Sequence, residues 1–206
     1  MTYTPQTWVA NTTVVSAARM NYIESGITAA AAGGGGGAWA LASSTVLGSA
    51  GTFDVTSIAA TYNDLALVAI ARENTANFSA IPSLTFNGDS GLNYSRMRTQ
   101  ASGSAVAATE SINASSFQIG AFPANNAPAG AFGTAEITLH GYASTLWQKS
   151  IHFKFFWYTT LGSGGVFVQE GVGVWNSTAA INRVTLVGNG GANFVTGSQL
   201  RIYGRT

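Results

Sequence analysis

The chain has 206 residues and a formal net charge of +1, and only 8% of its residues are charged, against roughly 25% in an ordinary soluble protein. This balance excludes a nucleic-acid binder that neutralises phosphates with a basic surface. Its 46% hydrophobic content excludes charge-driven disorder. Cysteine is absent, which excludes disulfides, thiolate zinc sites and a cysteine nucleophile.

Residues 1–15 are predicted to form an extended arm. Its bulky residues are Tyr3, Pro5 and Trp8, and an arm without a core of its own must bury them against something else. Two interpretations stay open: the arm folds back onto the chain's own domain, or it docks on a partner as an anchor. No basic segment precedes an apolar one, so we expect no signal peptide, and no membrane insertion.

Residues 16–32 are predicted to form a helix. Met20, Ile23 and Ile27 follow one another at spacings of three and four, the narrow seam of a coiled coil. Two heptads are marginal alone, so this seam favours assembly with copies of the chain, a homotrimer; a lone amphipathic helix on its own domain is the alternative. Residues 33–37 are all glycine and are predicted to be a flexible linker.

Residues 38–206 are predicted to form a mainly β domain, a jelly-roll-like antiparallel β-sandwich. Short strand-like runs alternate with turn signals, and in Ala135–His140 the apolar residues occupy every second position. The predicted strands are Thr52–Thr56, Leu65–Arg72, Ser83–Phe86, Asn93–Arg98, Phe117–Phe122, Ala135–His140, Lys149–Tyr158, Val166–Trp175, Arg183–Val187 and Leu200–Tyr203.

An aromatic run, Phe155-Phe-Trp-Tyr158, breaks the alternation of its strand, so both faces of the strand are apolar there. Two explanations stay open. A β-bulge re-aims one ring into the core, or one face of the strand meets another subunit.

The segment Gly88-Asp-Ser-Gly91 copies the nucleophile motif of trypsin-like proteases. That chemistry needs a histidine base and a buried carboxylate, which precede the serine in those proteases. Here both histidines, His140 and His152, follow it. The segment is therefore predicted to be a hairpin turn, and we expect no catalytic residue.

Metal and cofactor sites are not expected either. His140 and His152 are predicted to face solvent without nearby Asp or Glu beyond Glu136, which falls short of three ligands. The glycine run lacks the Lys-Ser or Lys-Thr of a phosphate loop. The carboxylates are scattered singly along the chain, and an enzyme stays an alternative only if two of them meet in the fold.

Two parts of the chain resemble surface proteins of tailed bacteriophages. Tyr3-Thr-Pro-Gln-Thr-Trp8, followed by residues 14–26, is similar to the arm and oligomerisation helix of phage fibre and decoration proteins. The body segments Phe53–Leu65, Phe86–Tyr94, Trp175–Asn182 and, most specifically, Asn193–Gly204 resemble a phage surface domain found on head and tail fibres.

This resemblance implies a trimeric structural protein on the virion surface, attached to a capsid or tail protein. A capsid decoration or head-fibre protein is favoured, because 206 residues are few for a fibre that must reach the host. A tail fibre or receptor-binding protein that recognises a host glycan or protein is the alternative.

Overall fold

The computed structural model describes residues 38–160 and 165–206, so the predicted arm, helix and glycine linker lie outside the described residues. The described residues form strands β1 (Trp39–Val46), β2 (Phe53–Val55), β3 (Asp64–Ala71), β4 (Ser79–Ala80), β5 (Ser83–Phe86), β6 (Tyr94–Ser102), β7 (Ala105–Ala114), β8 (Phe117–Gln118), β9 (Phe122–Pro123), β10 (Gly133–His140), β11 (Lys149–Tyr158), β12 (Val166–Trp175), β13 (Val184–Val187) and β14 (Gln199–Arg205).

These strands form two main sheets of unequal size and one small sheet. The large sheet has eight strands in the order β1-β14-β3-β10-β11-β12-β6-β7, and the second has four in the order β2-β13-β5-β8. Strands β4 and β9 form a separate pair. All pairings are antiparallel. The prediction of a mainly β antiparallel sandwich is confirmed.

Aromatic rings from both sheets form the core of the sandwich. Phe86 of the smaller sheet lies 5.6 Å from Trp175 of the larger one, and Phe117 of the smaller sheet meets Phe153 edge-on at 5.8 Å. All four side chains are almost fully buried. The predicted alternation over Ala135–His140 is also correct, because its apolar residues lie in the core.

The middle of strand β12 reverses the usual pattern, because Gly171 and Gly173 lie on its inner face while valines lie on its outer face. A Cβ atom on Gly171 would lie 2.5 Å from the Phe153 ring, and one on Gly173 would lie 1.9 Å from the Phe117 ring. The rings therefore occupy the space that side chains would fill. A valine at either glycine position would clash with these rings.

The structure corrects the predicted strands in two places. The run Phe117–Phe122 is not one strand, since it divides into β8 in the four-stranded sheet and β9 in the small pair. Strands β1, β4 and β7 were not predicted. The side chains of β7, and those of the first half of β1, are exposed on both faces of the sheet, so neither strand has the alternating pattern that marks a half-buried strand.

Two cations are enclosed by backbone carbonyls. The Arg72 guanidinium donates to four backbone carbonyls at distances of 2.6 to 3.3 Å, those of Asn125, Ala127, Pro128 and Ala131. Lys149 is fully buried, and its Nζ donates to the carbonyls of Ser144, Trp147 and Thr178 at 2.6 to 3.2 Å. Each cation thereby ties loops to the end of a strand.

Candidate interaction surface

The predicted anchor residues Tyr3, Pro5 and Trp8 and the predicted seam residues Met20, Ile23 and Ile27 lie outside the described residues. Their proposed roles stay predictions.

The sequence predicted a hairpin turn at Gly88-Asp-Ser-Gly91, and the structure shows that this prediction is wrong. The segment joins β5 to β6, which belong to different sheets, so it crosses the edge of the sandwich. Asp89 organises this crossing by accepting hydrogen bonds from the Gly91 amide at 2.8 Å, the Asn93 amide group at 2.9 Å and the Trp175 indole at 2.6 Å. Burial opposes its ionisation, but these hydrogen bonds outweigh burial and lower the pKa of Asp89.

Replacing Asp89 with Ala is expected to lower the free energy of unfolding by about 2 kcal/mol, because the indole N–H of the buried Trp175 loses its acceptor. Ser90→Ala is the matched control, since Ser90 is exposed and should cost little. Urea denaturation monitored by tryptophan fluorescence measures both. Equal stability of the two variants would show that Asp89 does not hold this connection together.

The two histidines lie together on the outer face of the large sheet, meaning the face turned away from the smaller sheet. Their rings are 5.2 Å apart and edge-on. The expectation that no acidic residue other than Glu136 lies near them is wrong: Asp64 on the neighbouring strand β3 lies 3.3 Å from Nδ1 of His140. Sequence reasoning missed this pair because Asp64 is far away along the chain.

Asp64 is shared between several donors. It accepts from the Arg205 guanidinium and, at 3.1 Å, from the Gly141 amide. Burial works against ionisation here too, but these donors and His140 outweigh it and lower the pKa of Asp64. Among residues 38–160 and 165–206, no group of three or more His, Asp or Glu side chains is placed to hold a metal ion. The cluster is thus a charged network at the sheet surface.

An apolar patch, divided by the charged pair Lys154 and Glu170, occupies the outer face of β11, β12, β6 and β7. In β11 the register with both neighbours is continuous, so no bulge turns a ring of the aromatic run inward, and Phe156 points outward beside Val168. The patch consists of Met97 (55% exposed), Val106 (71%), Phe156 (43%), Val166 (47%), Val168 (40%) and Val172 (51%).

Charged side chains cross the apolar patch and separate Met97 and Val172 from its other four residues. Glu136 and Glu170 lie opposite Lys154, one on each side, on strands β10 and β12. These two carboxylates are therefore two strand spacings apart, about 10 Å between Cα atoms. A shallow depression of about 510 Å³ lies at this point, and His152, Thr138 and Met97 also line it.

The sequence held one signal for this surface, the aromatic run of β11. The sequence contained no signal that the valines of β12 face outward, because alternating apolar residues ordinarily predict the side of a strand that faces the core. In the described part of the chain, no helix has the length and hydropathy needed to cross a membrane.

Comparisons of the chain with protein-family models, with curated protein sequences and with solved structures give no match.

Proposed function

We propose that this chain is a structural protein of a tailed-bacteriophage particle, displayed on the particle surface as a homotrimer and attached through residues 1–15. The proposal rests on the two resembling sequence segments and on one structural observation, the apolar patch. Exposed apolar side chains grouped on one face and accompanied by polar residues mark interaction sites. Association between copies removes such a surface from water.

The surroundings of the patch support self-association. The row Glu136–Lys154–Glu170 runs from the neighbouring strand β10 into the patch and presents both signs of charge, so two copies can meet with opposite charges paired. The predicted seam of Met20, Ile23 and Ile27 would add a second contact between chains. The low overall charge, +1 for 206 residues, leaves little long-range repulsion between copies.

The full chain is expected to have about three times its monomer mass of 21.2 kDa in light scattering. Replacing Phe156 and Val168 together with Thr puts a β-branched, strand-favouring residue at each position and removes apolar contact area. We expect the dissociation constant of this variant's oligomer to be at least tenfold higher than that of the wild type. The control is Leu146→Thr, since Leu146 is 82% exposed but lies outside the patch. A wild-type mass of one chain at micromolar concentration would contradict the trimer.

A second candidate function is a tail fibre or receptor-binding protein. The observation that favours it is the shallow depression lined by Glu136, Lys154 and His152, whose polar groups could contact a host glycan. Self-association over the patch would cover part of the same face, because Met97 and Val172 belong both to the patch and to the lining of the depression. The two functions therefore predict different exposure of this face on the particle.

Imaging of purified particles with an antibody against residues 38–206 separates the two candidates. Many tens to hundreds of copies over the head support a decoration or head-fibre protein, and a handful at the tail supports a receptor-binding protein.

Deleting residues 1–15 should release the protein from the particle. Normal occupancy by the truncated chain would place the anchor elsewhere.

The proposed role involves no catalysis. Its test is incubation of the purified protein with host-envelope polysaccharide and peptidoglycan, followed by polymer size over time. The Glu136→Gln variant is the comparison, because Glu136 and Glu170 are the carboxylates that flank Lys154. A fall in polymer size that this substitution abolishes would instead identify an enzyme.

A further inference from the structure

Two arginines lie side by side on the inner face of β6. Arg96 and Arg98 are two residues apart, so their Cα atoms are about 7 Å apart and both side chains project from one face. Arg96 is only 8% exposed and Arg98 is half-buried. They lie near β8, the edge strand of the four-stranded sheet, where the larger sheet extends past the smaller one.

Both guanidiniums have weak, neutral partners. Nη2 of Arg96 donates to the side-chain oxygen of Gln118 at 3.4 Å, and Nη1 of Arg98 donates to that of Gln169 at 3.5 Å. Nη1 of Arg96 is buried and has no hydrogen-bond partner. Within residues 38–160 and 165–206 the ion pairs join Asp54 or Asp64 to other residues, so neither arginine has a carboxylate partner there.

This arrangement is electrostatically costly. Burial, and then the charge of Arg98, lower the pKa of Arg96 to about 10, which still leaves it cationic at neutral pH. A buried charge ordinarily has a counterion or a full set of hydrogen bonds. Two other enclosed cations, Arg72 and Lys149, obey that rule, since they are surrounded by carbonyls. Arg96 is the exception among them.

We propose that Arg96 and Arg98 together bind one oxyanion, a carboxylate, sulfate or phosphate group. Guanidinium groups donate paired, charge-assisted hydrogen bonds to such oxygens. Gln118 is exposed and holds Arg96 through a single long hydrogen bond, so its side chain can swing out and leave its place to an anion oxygen. This inference does not depend on where the protein lies on a particle.

The test is calorimetric titration of the full chain with sodium sulfate, phosphate or glucuronate at low millimolar concentration and constant ionic strength. At least one of the three is expected to bind saturably. Sulfate or phosphate binding would indicate a free inorganic anion or a phosphorylated or sulfated group. Binding of glucuronate alone would indicate the carboxylate of an acidic sugar.

Arg98→Gln is expected to weaken binding at least tenfold, and Arg96→Gln to abolish it. Arg201→Gln is the charge-matched control, since Arg201 lies on the outer face beside Gln199, and it should bind as the wild type does. If Arg96→Gln does not fold, Arg98→Gln decides alone. The proposal is wrong if the wild type binds none of the three anions, or if Arg98→Gln binds them with unchanged affinity.

Discussion

Glu73→Gln is expected to raise the free energy of unfolding at pH 8 by about 3 kcal/mol. Glu73 follows β3 and is fully buried. One carboxyl oxygen accepts the Asn189 amide at 2.9 Å, and the other is buried without a partner. Burial raises the pKa of Glu73 from 4.5 to about 7, so ionisation above that pH opposes folding.

The sign of the pH dependence follows from the raised pKa. Below pH 4.5 the carboxyl is protonated in both the folded and the unfolded chain. As pH rises towards 7, it ionises in the unfolded chain but stays protonated in the folded one. The free energy of unfolding of the wild type should therefore fall over this interval and level off above it.

Urea denaturation at intervals from pH 4.5 to 8 measures the effect as the difference between wild type and Glu73→Gln. The difference should be near zero at pH 4.5, because a neutral amide resembles the protonated acid, and largest at pH 8. Glu170→Gln is the control, since Glu170 is exposed. A difference that does not vary with pH would show that Glu73 ionises normally in the folded chain.

Lys149→Met is expected to lower the free energy of unfolding by about 3 kcal/mol. The substitution preserves most of the aliphatic chain but leaves the three carbonyls around Nζ without their donor. These carbonyls belong to Ser144 and Trp147, which precede β11, and to Thr178, which follows β12. The segments should therefore exchange their amide hydrogens faster in the variant.

Thermal and urea denaturation of Lys149→Met and Lys154→Met provide the measurement. Lys154 lies on the same strand but on the opposite, outer face, so the control removes the same charge without opening a buried group. If both variants lose equal stability, the carbonyl contacts of Lys149 contribute nothing beyond the loss of a lysine.

The sequence predicted most of the central strands because their alternation reflects burial on one face. Strand β11 is an example, with the same bounds in prediction and structure. Strands β1 and β7 were not predicted, because within the described part of the chain no second layer covers β7 or the first half of β1. No burial pattern is therefore imposed on these side chains.

The orientation of β12 could not be predicted from local pattern. Its outward valines and inward glycines depend on where the rings of Phe117 and Phe153 lie, and Phe117 comes from the other sheet. The contact of His140 with Asp64 likewise arises from pairing between β10 and β3. Long-range strand pairing carries this information, and a local window of sequence does not contain it.

The pairing of β1 with β14 has a consequence for attaching foreign peptides. Trp39 and Arg205 face each other in that pairing, and the guanidinium of Arg205 lies over the Trp39 ring at 5.1 Å. A tag fused after Arg205 would therefore begin next to Trp39, the first residue of β1. The opposite edge, β7, is seven strand spacings away, about 34 Å along the sheet. Insertion at Gly103, in the turn between β6 and β7, would carry a peptide to that far edge.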